Sequence, residues 1–175
     1  SFHGRTLATL TATGQDKVKI GFAPLPDGFV YAEYNNFESL KATVSPHTCA
    51  VMLEPIQGEG GIYPMEMDYI QKVVAFCKEN DLLLIFDEVQ CGMGRTGTMF
   101  AYEAYGVKPD IVTVAKALGG GLPFGAFIAS EKVAASFGPG SHGSTFGANP
   151  VAAAASAAVF AEIEKEDLLR HVQAL

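Results

Sequence analysis

Cysteines, long apolar runs and secretion signals are scarce or missing in this sequence, and each absence argues against a class of protein. Three cysteines occur among 175 residues, far apart and without a C-x-x-C pair, which is typical of reduced thiols rather than of a disulfide framework. No run approaches the roughly 20 apolar residues of a membrane span, and the first residues have no signal-peptide pattern. We therefore expect a cytoplasmic protein without a membrane span. The first residue is not Met, and the sequence starts in the middle of a sequence pattern, so we also expect a piece of a longer protein.

Basic residues are also few. The sequence has 12 Lys and Arg against 19 Asp and Glu, for a net charge of −7, and the basic residues form no stripe. Nothing in this pattern attracts a nucleic-acid backbone or an anionic membrane, so we expect neither as a partner. The four histidines form no H-E-x-x-H motif and no Cys/His cluster, and we expect no metal site.

The most informative stretch is residues 82–121, which contains two apolar runs. Leu82–Phe86 is followed by Asp87, and Ile111–Ala115 is followed by Lys116, with a short helix-like segment between the runs. This pattern predicts a strand–helix–strand unit of about 30 residues whose second strand is parallel to the first. Asp87 and Lys116 should then emerge at the same edge of the sheet, where open α/β sheets bind their ligands.

The remaining elements complete one α/β domain, for which a hydrophobic content of 49% is sufficient. Further strands are predicted at Phe29–Tyr34, Ala50–Leu53 and Phe124–Ala129, the last of them in a hairpin-like return that makes it antiparallel to its neighbour. Helices are predicted from Asn36 to about Thr43, over Met65–Asn80, and from Asn149-Pro150 to about Glu166.

A competing interpretation rests on Gly92–Gly97, which satisfies G-x-G-x-x-G after a strand and before the helix-like segment. A dinucleotide site also needs an acidic residue about 20 positions later, at the end of the next strand. That strand ends in Lys116, and the charges of Asp87 and Glu88 would repel a pyrophosphate. A nucleotide-binding oxidoreductase domain is therefore the alternative from a different class of function.

Lys116 and Asp87 together have the chemistry of a Schiff-base site. Lys116 precedes the triplet Gly119–Gly121, which lets a bulky ligand approach the backbone, and burial would lower the pKa of its amine from about 10.4. Asp87 could pair with a protonated pyridine nitrogen. Gln90 could donate a hydrogen bond to the phenolic oxygen of the same ring, and Val89 could pack against the face of the ring. The simpler alternatives are a surface lysine and a carboxylate that caps a helix or forms an ordinary ion pair.

Two loops carry further polar groups. Ser144 and Thr145 lie among glycines and offer hydroxyls and backbone amides that suit a phosphate, although an ordinary linker has a similar composition. A hydrolase nucleophile is excluded there because no strand precedes the loop. Glu54 and Glu59 belong to the EPIQGEGG loop, where Glu59 could meet an arginine or a substrate amine, or simply be solvated.

The sequence resembles a known family over nearly all of its 175 residues. The resemblance lies in FHGRTLATLTATGQ, EPIQGEGG, FDEVQCGMGRTG, AKALGGGLPFGA and HGSTFGANP, in that order. These motifs are similar to those of the class III (subgroup II) pyridoxal-phosphate-dependent aminotransferases. The resemblance implies the large domain of the fold-type I transferases, with a mostly parallel sheet, one antiparallel strand and helices on both faces. Residues 1–175 would be the central part of that domain, without the N-terminal segment and the C-terminal small domain.

The resemblance also implies roles in holding pyridoxal phosphate. Lys116 would bind the cofactor covalently, Asp87 would pair with its pyridine nitrogen, and Gln90 would reach its ring oxygen. Phe2 would stack on the ring. Thr145, with Ser144 beside it, would bind the phosphate of the cofactor in the partner subunit, so the family's sites would lie between the two subunits of a homodimer.

Substrate-binding roles follow from the same resemblance. Arg5 would hold the α-carboxylate of the amino donor in a bidentate salt bridge, and Glu59 would pair with an arginine of the small domain. The implied reaction moves the terminal amino group of N-acetylornithine to 2-oxoglutarate, a step of arginine biosynthesis. Ornithine, succinyl-diaminopimelate and 4-aminobutyrate are the alternative donors within the family.

Overall fold

A four-stranded sheet forms the centre of the computed structural model, which describes residues 1–165 and 167–175. The strands are β1 (Ala50–Leu53), β2 (Ile56–Gln57), β3 (Tyr63–Pro64), β4 (Leu83–Asp87), β5 (Ile111–Val114) and β6 (Ala126–Ala129). The helices are α1 (Leu7–Ala12), α2 (Phe37–Thr43), α3 (Met67–Glu79), α4 (Glu131–Ala134), α5 (Pro150–Lys165) and α6 (Leu168–Ala174). Short 3₁₀ turns cover Asp16–Val18, Ala101–Tyr105 and Lys116–Gly119.

The central sheet has the order β1-β4-β5-β6. β4 is parallel to β1 and to β5, and β6 is antiparallel to β5, which confirms the predicted, mostly parallel sheet with one antiparallel strand. Asp87 lies opposite Thr113 in the register of β4 and β5. The carboxyl ends of these two strands therefore meet at one edge, as the two apolar runs predict. β2 and β3 form a separate antiparallel hairpin.

Two predicted helix starts are confirmed in atomic detail. The Asn36 side chain accepts a hydrogen bond of 3.0 Å from the Ser39 amide at the start of α2, and Asn149 accepts one of 2.9 Å from the Ala152 amide at the start of α5. Each asparagine satisfies an amide that has no partner within its helix. α5 ends at Lys165, and Glu166, where its end was predicted, lies outside the described residues.

The predicted strand at Phe29–Tyr34 is wrong, because this segment is irregular and pairs with no strand of the described chain. Its side chains alternate, but the polar tips bind other segments: Tyr31 donates its hydroxyl proton to the Thr11 carbonyl, and Tyr34 donates to the Glu54 carbonyl at 3.0 Å. Val30 remains 68% exposed. Alternation without a neighbouring edge is thus insufficient for a strand.

The connection from β4 to β5 also differs from the predicted helix. It is a series of turns ending in the 3₁₀ turn Ala101–Tyr105. Gly94 and Gly97 have φ values of +86° and +84°, in the left-handed region that an α-helix cannot accommodate. The glycine string therefore bends the crossover instead of opening a helix.

One face of the sheet carries most of the core. Its buried residues Leu84 and Phe86 pack with Ile70 of α3, and Val112 packs with Ile163 of α5. Asp87 follows Phe86 and points to the other face, where the segment that carries α1 reaches it.

The described helices include none long and apolar enough to cross a membrane.

The core predicts a clear difference between two positions of α3. Ile70 is 0% exposed, so Ile70→Ala is expected to lower the free energy of unfolding by about 2–5 kcal/mol, through lost burial and the cavity left behind. Met67 is 51% exposed on the same helix, and Met67→Ala should change that free energy by less than about 0.5 kcal/mol. Urea unfolding measures both, and equal losses at the two positions would show that α3 does not pack as described.

Candidate active site

The centre of the candidate site is the Asp87 carboxylate at the end of β4, where it is only 4% exposed. One oxygen, Oδ2, lies 2.7 Å from His3 Nδ1. The other, Oδ1, accepts hydrogen bonds from the Val89 amide at 3.0 Å and the Thr113 hydroxyl at 3.2 Å. Three donors from separate segments thus fix the carboxylate at the ligand-binding edge of the sheet, where the sequence predicts it.

His3 is a site residue that the sequence reasoning missed. Its amide donates to the Thr13 hydroxyl at 2.9 Å, and its ring reaches Asp87 across 84 residues of sequence. The signal that could have found it is its position in FHGRT, between the predicted site residues Phe2 and Arg5. A histidine beside a carboxylate can orient that carboxylate and balance its charge.

Lys116 starts a 3₁₀ turn, two residues after the end of β5. Its side chain is exposed, which corrects the expectation that its amine is buried. Its backbone is left-handed, with φ +47°. For a non-glycine residue this conformation costs on the order of 1–3 kcal/mol and is enriched at functional sites. The parallel register puts this strained lysine at the same sheet edge as Asp87.

Phe2 and Arg5 reach that edge through the N-terminal segment. The Phe2 amide donates to Glu54 Oε1 at 2.8 Å, and the Arg5 guanidinium carbon lies 5.7 Å from the centre of the Phe2 ring. Arg5 is exposed and comes immediately before Thr6, the N-cap of α1. Its guanidinium is therefore accessible to an anion.

The EPIQGEGG loop closes another side of the site. A Cβ placed on Gly58 would lie 2.6 Å from the Gln90 Cβ, so the loop backbone packs directly on Gln90, and only glycine permits this approach. Glu59 is exposed and accepts a hydrogen bond from the Gln15 side chain. Gln15 was not singled out from the sequence, although it ends the motif FHGRTLATLTATGQ.

Glu88 is turned away from this edge. Its Oε1 accepts from the Tyr102 amide at 2.8 Å and its Oε2 from the Ala101 amide at 2.9 Å. It is 1% exposed, and burial raises the pKa of Glu88. Glu88 therefore anchors the crossover. Because the Gly92–Gly97 string opens no α-helix, it lacks the helix N-terminus on which a dinucleotide fingerprint binds pyrophosphate.

Ser144 and Thr145 are exposed and make no hydrogen bond with the other predicted site residues in the described part of the chain. They belong to the loop between α4 and α5. The described contacts join Phe2 to Arg5 and Glu54, Gly58 to Gln90, and Val89 to Asp87, and the strand register adds Lys116 at the edge that carries Asp87.

Comparisons with known proteins identify relatives across the whole chain. Residues 1–175 match the family model for class-III aminotransferases. Acetylornithine aminotransferase of Oceanobacillus iheyensis is 54% identical over 171 residues, which is 98% of this chain and 43% of that protein. The enzyme of the same name from Gloeobacter violaceus is 56% identical over 169 residues, 97% of this chain and 42% of that protein.

A solved structure of ornithine aminotransferase from Toxoplasma gondii superposes with a TM-score of 0.89 at 34% identity, covering 95% of this chain and 39% of that one. That structure is described as having partial occupancy of PLP at its active site. The chain therefore spans less than half the length of the relatives that it matches.

Proposed function

The chain belongs to the class-III aminotransferase family, and on that premise we propose that it carries the cofactor centre of an enzyme that moves the terminal amino group of N-acetylornithine to 2-oxoglutarate. The relatives named acetylornithine aminotransferase support this donor. Because they are more than twice as long, we propose that residues 1–175 are the central part of the large domain of a cytoplasmic enzyme of arginine biosynthesis. Below, the complete enzyme means that longer protein.

Pyridoxal phosphate fits the residues at the sheet edge. The fixed carboxylate of Asp87 carries the proposal, because an anion held by three donors suits a pyridine nitrogen that must stay protonated. Phe2 and Val89 offer apolar surfaces to a flat ring, Gln90 a donor to its oxygen, and Lys116 an accessible amine. When bound, the cofactor supplies an electron sink for the charge that develops at the substrate carbon.

Three side chains of this chain would have separate roles in the reaction. Lys116 would hold the cofactor at rest and, once freed, move a proton at the reacting carbon as base and then as acid. Arg5 would bind the donor's α-carboxylate through two parallel hydrogen bonds. In N-acetylornithine that carboxylate is at the far end from the transferred amine, so Arg5 would set the reach of the reacting end. Glu59, held here by Gln15, would pair with an arginine of the small domain.

The donor assignment is tested by steady-state assays of the complete enzyme with 2-oxoglutarate as acceptor. N-acetylornithine is expected to give the highest kcat/KM among N-acetylornithine, ornithine, succinyl-diaminopimelate and 4-aminobutyrate. A higher value for another of these donors would overturn the donor and leave the reaction class intact. Failure to bind pyridoxal phosphate or to transfer an amino group at all would overturn the class as well.

The family resemblance leads us to propose that Thr145 binds the cofactor phosphate of the partner subunit, so that active sites are shared between two subunits. Thr145→Val is expected to weaken cofactor binding about tenfold or more, since a phosphate oxygen loses its donor. Mixing Thr145→Val subunits with Lys116→Ala subunits should then restore about a quarter of wild-type activity at limiting cofactor, because half of the dimers have one intact site. Recovery no greater than the sum of the two variants would place Thr145 in its own subunit's site.

A further inference from the structure

Glu54 has no role in the function proposed so far, yet its carboxylate binds the backbone of two separate segments, an arrangement called the clamp below. Its side chain follows β1 and is only 4% exposed. Oε1 accepts a hydrogen bond of 2.8 Å from the Phe2 amide, and Oε2 accepts one of 3.2 Å from the Gly58 amide. One carboxylate thus joins two segments that lie on opposite sides of it in the sequence.

Both segments carry residues of the candidate site. The first segment carries Phe2, which is proposed to stack on the cofactor ring, and Arg5, which is proposed to bind the donor carboxylate. Gly58 precedes Glu59 and packs against Gln90 so closely that a Cβ would lie 2.6 Å from the Gln90 Cβ. A shift of either segment would therefore move a wall of the cofactor site together with a group that is proposed to bind substrate.

The position is a costly one for an acid. Burial raises the pKa of Glu54; the hydrogen bonds from Phe2 and Gly58 oppose that increase, and the nearby charge of Asp87 adds to it. A buried carboxylate is tolerated where hydrogen bonds satisfy its oxygens, and here each oxygen has a donor. Simple packing at the end of a strand would need no acid beside Asp87, whereas linking two backbone amides from separate segments requires two acceptor atoms.

We propose that Glu54 is a positioning residue that holds Phe2 and the Gly58–Glu59 turn in register, so that the ring-stacking wall and the substrate-binding end of the site are set by one side chain. This inference rests on the proposed aminotransferase function. The two segments that Glu54 holds would contact the cofactor ring on one side and the carboxylate-bearing amino donor on the other.

The decisive variant is Glu54→Gln in the complete enzyme. The amide keeps one acceptor oxygen but turns an NH₂ group toward the other backbone amide, so one segment loses its anchor. We expect KM for the amino donor to rise about tenfold or more, since an unsatisfied buried donor has an effect of that size. The circular dichroism of the bound cofactor should weaken, and kcat should fall by less than KM rises.

Glu88→Gln is the matched control. Glu88 is also buried, at 1% exposed against 4% for Glu54, and it also accepts hydrogen bonds from two backbone amides, those of Ala101 and Tyr102 within the crossover, besides one from the Cys91 thiol. Glu88→Gln should lower thermal stability about as much as Glu54→Gln, with a smaller change in KM and cofactor dichroism. If the two variants lose stability equally and Glu54→Gln keeps the wild-type KM and dichroism, Glu54 is only structural and the inference is overturned.

Two further measurements extend the test: hydrogen exchange does not depend on activity, and a second variant does not depend on the folding yield of Glu54→Gln. In the cofactor-free protein, Glu54→Gln should speed hydrogen exchange at the Phe2 and Gly58 amides, and unchanged exchange at both would refute the clamp. Gly58→Ala leaves Glu54 intact and pushes on Gln90, so it should reproduce the rise in KM; an unchanged KM would also refute it. A wild-type enzyme that binds no pyridoxal phosphate would instead refute the proposed function.

Discussion

Lys116→Ala is expected to abolish amino-group transfer by the complete enzyme, with a loss of at least about 10⁴-fold in kcat, because it removes both the covalent attachment of the cofactor and the proton-transferring amine. Borohydride reduction followed by peptide mapping should find the cofactor on the Lys116 peptide of the wild type. The variant should give no such adduct, although it should still bind pyridoxal phosphate through Asp87 and its neighbours.

Lys132 provides the control for this experiment. It is also an exposed lysine, with its Nζ 3.0 Å from Asp81, and exposed ion pairs of this kind contribute about 0–1 kcal/mol. Lys132→Ala should therefore retain wild-type turnover and the adduct. A Lys116→Ala enzyme that still forms a reducible adduct at another lysine, or retains measurable turnover, would contradict the assignment.

The sheet edge could be predicted from sequence because its signals are local. Two apolar runs, each ending in a charged residue, are sufficient to place Asp87 and Lys116 at adjacent parallel strand ends, and the register of Asp87 with Thr113 agrees. The N-caps at Asn36 and Asn149 were equally predictable, since each depends on one side chain and an amide three residues later.

The contacts that hold the site together were not predictable in this way. His3 meets Asp87 across 84 residues and Phe2 meets Glu54 across 52, and no periodicity connects positions so far apart. The exposure of Lys116 could not be decided from the sequence, because a lysine after an apolar strand has the same sequence pattern whether ligand or solvent surrounds it. Local patterns therefore located the edge, and long-range polar contacts determined its geometry.

Asp87→Asn is expected to keep the cofactor bound and to slow the proton-transfer half-reaction by about 10³-fold. Asparagine has the same shape, so its oxygen can still accept from the Val89 amide and the Thr113 hydroxyl. The change removes the negative charge that faces His3 at 2.7 Å, and with it the counter-charge for a protonated ring nitrogen. The ring then withdraws electrons less strongly, and the barrier to forming charge at the substrate carbon rises.

Single-turnover measurements with the amino donor isolate this step from product release and from cofactor affinity. Asp110→Asn is the comparison, because Asp110 also accepts a backbone hydrogen bond, from the Leu84 amide at 2.9 Å, but precedes β5 and so lies at the opposite end of the strands. It should lose stability without slowing the half-reaction. Equal single-turnover rates for Asp87→Asn and the wild type would show that the charge of Asp87 does not act on the ring, whereas rapid loss of cofactor would show that it acts mainly in binding.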